Sequence, residues 1–234
     1  NLALDILRKT QSGYHEIQTV FHQPQNLADE IVLENRVDGG IEIDSDCAAL
    51  PKDETNTVLK AALLLKKAAG VSSGAKIFIK KRIPLMSGLG GGSSNAVAAL
   101  KALAQLWKVK CSNGRKKHAP NCLLRRLANQ IGMDCAFFFD GGTALGTHFG
   151  EKITPLPPAP ADLKFEIIET GVKISSSEAY CKIDLNLCGK NTQKTQKLIK
   201  ALHGKDARRV FENIHNDFET AVFKAHPKLN EIKK

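Results

Sequence analysis

Between Arg82 and Leu100 the chain reads RIPLMSGLGGGSSNAVAAL, with Gly88, Gly90, Gly91 and Gly92 crowded between a basic strand and an alanine-rich apolar run. Glycine loses more conformational freedom on ordering than any other residue, so such a cluster calls for an interaction that compensates. A backbone of this kind approaches a ligand closely, adopts positive φ angles and lets successive amides converge on phosphate oxygens. A helix starting directly behind it adds unpaired N–H groups and a partial positive charge. Ser93 and Ser94 supply hydroxyls for a phosphate or for Mg²⁺. The chemistry is that of holding a triphosphate. Neither of two better-known phosphate loops is spelled here: no lysine follows the glycines, and Ser93 stands where a dinucleotide fingerprint has its last glycine. A flexible linker is the competing reading, but linkers seldom run straight into an apolar helix.

Other residues carry chemistry only in company. Asp134, two residues after Gly132, reads on its own as a loop or helix cap sooner than as a proton acceptor. Tyr14 and His15 follow Gly13 and alone read as turn or core-edge residues. Cys111, His118 and Cys122 give three potential zinc ligands at an unfamiliar spacing, one short of a closed structural site.

The elements that must position these groups follow from periodicity. Leu2–Leu7 reads as a strand, then a turn at Ser12–Gly13 and a second strand through Ile17, Thr19 and Phe21. Ile31–Leu33 and Ile41–Ile43 are strand candidates on either side of the turn at Asp38–Gly40. Thr55 or Asn56 can cap a helix that carries Val58, Leu63 and Leu65 and stops at Gly70. Lys76–Lys80 alternates as a strand, and Ser93 or Ser94 opens a helix with Val97, Leu100, Leu103 and Trp107 on its apolar stripe. A helix is expected around Leu123–Leu127, then an aromatic run, a turn at Asp140–Gly142 and a short strand. Four prolines within Thr154–Leu163 mark the best domain boundary. Lys164–Glu169 then reads as a strand, and Phe211, Ile214, Phe218 and Val222 fall at helical spacing.

The chain has 234 residues, 42% hydrophobic and 25% charged, enough to bury one large core or two small ones. No apolar run reaches the roughly 18 residues of a membrane span. Six cysteines without a paired spacing point to reduced thiols in a reducing compartment. The net charge of +10 is scattered and not interleaved with aromatics, so small phosphorylated molecules are expected as partners and nucleic acid is not.

The stretch PLMSGLGGGSSNA, Pro84–Ala96, closely resembles the phosphate-binding motif of the GHMP kinases. SGYHEIQTVF from Ser12, NTVLKAA from Asn56, GMDCAFFFDGGTALGTHFGE from Gly132, TGVKISSSEAY from Thr170 and NDFE from Asn216 extend the resemblance in register over nearly the whole chain. They point to the members of that family that act in non-mevalonate isoprenoid synthesis on a cytidine-diphosphate-linked methylerythritol. The resemblance implies an α+β, two-domain fold, an N-terminal ATP-binding domain over 1–157 and a C-terminal domain over 158–234. It implies an ATP- and Mg²⁺-dependent kinase. Asp134 would be catalytic, accepting the proton of the substrate hydroxyl, with a low pKa expected beside a positive site. Pro84, Leu85, Met86, Ser87, Gly88, Leu89, Gly90, Gly91, Gly92, Ser93 and Ser94 would bind ATP phosphates, with Asn56 and Lys81 at its adenosine. Tyr14, His15 and Tyr180 would recognise cytidine by stacking and hydrogen bonding, and Asn1 would lie near the reacting phosphate.

The family's lysine before Asn1 and its third glycine motif fall outside these residues, so a chain that continues at both ends is expected, in a bacterial cytoplasm or a plastid. The resemblance assigns no metal ligands and no oligomeric state. Cys135 and Ala136 stand where the family shows a small apolar residue and proline, and Ser87 stands where glycine is common. Two alternatives remain at this level: another small-molecule kinase of the family, of mevalonate or homoserine type, or a basic anion- or nucleic-acid-binding module without catalysis.

Overall fold

The computed structural model describes residues 1–110 and 122–233. The residues Cys111 and His118 of the zinc reading lie outside them. Strands and helices are mixed throughout, the expected α+β class. Two compact units interleave along the chain: one made of residues 1–24, 86–88 and 140–234, the other of 25–85 and 89–139.

In the first unit, β1 (Ala3–Lys9) and β2 (His15–His22) form an antiparallel hairpin across the turn at Gly13. Strand order in its sheet is fixed by residues far apart in sequence. Strands β3 (Glu30–Arg36), β4 (Ile41–Ser45) and β5 (Gly74–Lys80) belong to the other unit; here β6 (Thr143–His148) pairs with β2, β7 (Lys152–Pro155) with β6, and the short β8 (His215–Asn216) with β1, in the order β7-β6-β2-β1-β8. Period-two alternation sends Leu4 and Ile6 to one face with Ile17 and Cys188, while Ala3 packs with Leu198, Ala201 and Leu202 on the other.

Beside Ala3 the same face buries a polar group. Asp5 is fully buried, and its two oxygens meet Thr195 Oγ1 at 2.5 Å and His215 Nε2 at 3.0 Å. Nδ1 of His215 faces the Asn213 carbonyl at 3.0 Å, so both ring nitrogens face acceptors. Burial alone would lower the His215 pKa, but Asp5 and that carbonyl outweigh it and hold it above the usual value. This bonding fastens β8 beside β1, and Asp217 adds to it by accepting the Ile6 and Gly189 amides at 2.8 and 2.7 Å.

The second unit pairs β3 antiparallel and β4 parallel with the central β5. Helices α1 (Thr57–Ala69), α2 (Gly91–Leu106) and α3 (Leu123–Ala128) supply most of the rest of its core, centred on Leu65, Ile77, Ile79, Leu100, Leu103 and Leu124. Asn56 caps α1 as its type predicts, accepting the Val58 amide at 2.9 Å, and Gly70 ends it in the left-handed conformation. Gly74 opens β5 where a Cβ would sit 1.9 Å from the Gly40 carbonyl oxygen and 2.6 Å from the Gly39 carbonyl carbon. Neither obstacle is a side chain that can rotate away. We expect Gly74→Ala to cost about 2 kcal/mol or more of stability. Urea unfolding checks it, and an unchanged midpoint would show that the Gly39–Gly40 turn yields freely.

Two expected elements differ. Lys164–Glu169 has the alternation of a strand but joins neither sheet, and Ile168 is exposed; alternation gives a strand only where a partner edge is available. The helical spacing over 211–222 is split between α6 (Ala207–Glu212) and α7 (Phe218–Ala225), which follow α4 (Ser176–Lys182) and α5 (Thr192–His203) and precede α8 (Pro227–Lys233). Pairing of β8 with β1 breaks the helix there. Among the described residues no helix is long and apolar enough to cross a membrane.

Candidate active site

The glycine loop joins β5 to α2, and α2 begins earlier than serine capping preference suggests. Gly90, at φ 70°, is the N-cap, and Gly91 and Gly92 already belong to the helix. The first bond of the helix ladder runs from Ser94 N to Gly90 O, so the amides of Gly91, Gly92 and Ser93 precede it. No side chain caps this end, and its first turn carries no acidic residue. An anion is the natural complement of such a terminus. Thr57, at the start of α1, donates to the Gly92 carbonyl at 2.8 Å and ties the two helix starts together.

Asp134 opens the 3-10 turn Met133–Phe139. Ser93 Oγ donates to Asp134 Oδ1 at 2.7 Å, which sets the carboxylate against the first turn of α2. A Cβ on Gly90 would lie 3.9 Å from Asp134 Oδ2 and only 2.8 Å from Phe138 Cζ, and a Cβ on Gly132 would lie 3.0 Å from Asp134 Oδ1. Gly132 therefore makes room for this carboxylate, and Gly90 makes room for the Phe138 ring beside it. Cations that the sequence did not single out hold the turn: Lys101 donates to the Phe138 and Phe139 carbonyls at 3.1 and 3.0 Å, and Arg125 to that of Ala136 at 3.1 Å. Their signal is faint, since a lysine on the polar flank of α2 reads as a solvated charge.

Burial pushes the Asp134 pKa up, and the Ser93 hydrogen bond only partly opposes it. The low pKa expected from the sequence is thus reversed, because desolvation outweighs any positive field here. The neighbouring Cys135 thiol is pushed up to about 12 by burial and by the Asp134 charge, which keeps it protonated and inert.

Asn56 spends both ends of its amide on the cap of α1, its Nδ2 reaching the Pro51 carbonyl at 2.6 Å. The Lys81 ammonium is buried against Asp29 at 2.7 Å and also donates to the Ile83 carbonyl. Pro84 and Leu85 are half-buried, while Met86, Ser87, Gly88 and Leu89 form the exposed crest, with Met86 at φ 55°.

The residues expected to read cytidine gather in the other unit, at the start of β2. The Tyr180 ring stacks on His15 with centroids 4.7 Å apart and 11° between planes, and meets Phe218 edge-on at 4.8 Å. Tyr14 is about half exposed and leans on Phe149 at 5.3 Å, a neighbour that the sequence reading missed. Burial and then Lys9 lower the His15 pKa, so at neutral pH its ring offers one donor and one acceptor. Asn1 is exposed ahead of β1.

Residues 56–142 match the family described as GHMP kinases N terminal domain. The whole chain is 38% identical to the 4-diphosphocytidyl-2-C-methyl-D-erythritol kinase of Shouchella clausii, covering 74% of that protein. The same-named kinase of Clostridioides difficile is 33% identical over the whole chain and 75% of its own length. A crystal structure of 4-(cytidine 5'-diphospho)-2C-methyl-D-erythritol kinase superposes with a TM-score of 0.70 at 28% identity, over 99% of this chain and 77% of that one. Homoserine kinase from Cytophaga hutchinsonii, 21% identical with a TM-score of 0.63 over 94% of this chain and 70% of its own, shares the fold. With relatives this similar along its entire length, and with a glycine-capped helix start facing a half-buried aspartate, the chain belongs to the 4-diphosphocytidyl-2-C-methyl-D-erythritol kinases, a branch of the GHMP kinases.

Proposed function

We propose that this chain transfers the γ-phosphoryl group of ATP to the tertiary 2-hydroxyl of 4-diphosphocytidyl-2-C-methyl-D-erythritol. The observation that carries the reading is the 2.7 Å bond from Ser93 to Asp134, because it sets a proton acceptor beside a helix start suited to phosphate. Pro84 to Ser94 line the triphosphate, with Asn56 and Lys81 helping to shape the adenosine side. Asp134 orients the acceptor hydroxyl and takes its proton as the oxygen attacks. A carboxylate raised in pKa by burial is a stronger base than a solvated one, and its fixed position contributes as much. The oxygens of Asp134 and Ser93 are of the kind that would hold Mg²⁺, and the ion would supply neutralisation of charge on the transferred group.

Tyr14, His15 and Tyr180 select the cytidine end, and Asn1 serves the reacting phosphate. Stacking is worth roughly 1 to 3 kcal/mol per base, so we expect Tyr14→Ala to raise KM for the cytidylyl substrate about tenfold and to leave KM for ATP unchanged. Steady-state titration of each substrate separately checks it; equal effects on both would place Tyr14 in general folding. The reaction itself is tested by ADP release from the full-length enzyme with the cytidylyl methylerythritol, with mevalonate and with no acceptor. Turnover with the first alone is expected. Turnover with mevalonate would keep the family and overturn the substrate, and silence with every acceptor would overturn the kinase reading.

A further inference from the structure

One carboxylate outside the residues assigned so far grips both ends of the glycine loop. Asp29 lies just before β3 with its side chain fully buried. Its Oδ1 accepts the backbone N–H of Arg82 at 2.6 Å and that of Ile83 at 2.8 Å, the residues that lead into the loop. Its Oδ2 accepts the Lys81 ammonium at 2.7 Å and the Asn95 carboxamide at 2.7 Å, and Asn95 is itself buried in the first turns of α2. Four donors thus fill the carboxylate's four acceptor sites. Such a buried charge is tolerated only when it is fully paired, so each donor is held as firmly as it holds Asp29. Burial would raise the Asp29 pKa, but these four bonds together keep it below the ordinary carboxylate value.

The geometry assigns the entry strand and the exit helix of the loop to one clamp. We infer that Asp29 is a positioning residue for ATP: it fixes the gap between residues 81–83 and Asn95, and so sets how the loop amides converge on phosphate. It acts through Lys81, Arg82, Ile83 and Asn95. Lys81, held by this clamp, steers the nucleotide by fixing the strand end rather than by offering a free charge. The inference rests on the reading of the loop as an ATP site.

The test uses Asp29→Asn, Asn95→Ala and the exchanged pair Asp29→Asn with Asn95→Asp in the full-length enzyme. KM for ATP, KM for the acceptor and kcat are measured with thermal melting in the absence of nucleotide. Asp29→Asn turns an acceptor toward Lys81 and Asn95 into a donor. Losing bonds to a charged group should raise KM for ATP about tenfold or more, with kcat and the acceptor KM changed less than about threefold. The exchanged pair restores a donor facing an acceptor and should recover most of that loss. Asn95→Ala removes one donor only and should raise KM for ATP by less, which decides the matter if Asp29→Asn does not fold. A lower melting temperature with an unchanged KM for ATP, or an exchanged pair no better than Asp29→Asn, would overturn the inference while leaving the loop reading intact. An unaltered enzyme that fails to use ATP would overturn the loop reading and this inference together.

Discussion

Asp134→Asn is expected to lower kcat about a thousandfold while changing KM for ATP little. The carboxamide keeps the shape of the side chain and an oxygen that accepts the Ser93 hydroxyl, so the loop and the start of α2 remain as they are. What is lost is the ability to take a proton. The same substitution should stabilise the protein at neutral pH. The Asp134 pKa is raised in the folded state above its unfolded value of 3.8, so the ionised form is the one that folding penalises. That penalty is absent at pH below 3.8, where both states are protonated. It grows as pH rises through the folded value and is complete above it. Melting temperatures of Asp134→Asn and the unaltered enzyme should therefore differ most at pH 7 and converge toward pH 4. A variant that instead loses ATP binding, or melts lower at pH 7, would show that the carboxylate supports structure and not transfer.

The second large effect is expected at Gly90. An alanine there meets two obstacles: a φ of 70° that side chains rarely adopt, and Phe138 with Cζ at 2.8 Å and Cε2 at 3.3 Å from the new methyl. The first costs roughly 1 to 2 kcal/mol and the second about the same again, so affinity for ATP should fall on the order of a hundredfold. Phe138 belongs to the same turn as Asp134, so kcat should fall as well. Gly88→Ala is the control, because its φ is 72° but its methyl would meet nothing within 4 Å. It should show the conformational cost alone, about tenfold. Calorimetric titration of ATP into each variant gives the comparison, and equal losses at the two positions would refute the crowding at Phe138.

Much of the setting of the glycine loop was legible because its signals are local. The cap at Asn56, the stop at Gly70 and the succession of strand, glycine loop and helix depend on residues within a turn or two of each other. The start of α2 was misplaced by the preference of serine for caps: a left-handed Gly90 does that work instead. Asp29 was invisible for a different reason. It is an ordinary acidic residue 52 positions from Lys81, and only the folded sheet brings its oxygens to the loop. Period-two alternation misled at 164–169 because it reports a face without reporting a neighbour, and the helical spacing across 211–222 concealed the two residues taken by β8. The Asp134 pKa could not be read at all, since burial is a property of the surroundings.

The splicing of one unit into the other also sets an order of events at the ribosome. β2 finds its second neighbour only in β6, and β1 finds its own at His215, so the hairpin of residues 3–22 leaves the exit tunnel long before either flank exists. The core built on Leu65, Ile77 and Leu100 draws all its residues from within 25–139, and is complete earlier. The inserted unit therefore gathers first during synthesis, while the apolar hairpin, with Leu4, Ile6, Ile17 and Val20 still uncovered, is the stretch that a chaperone would meet.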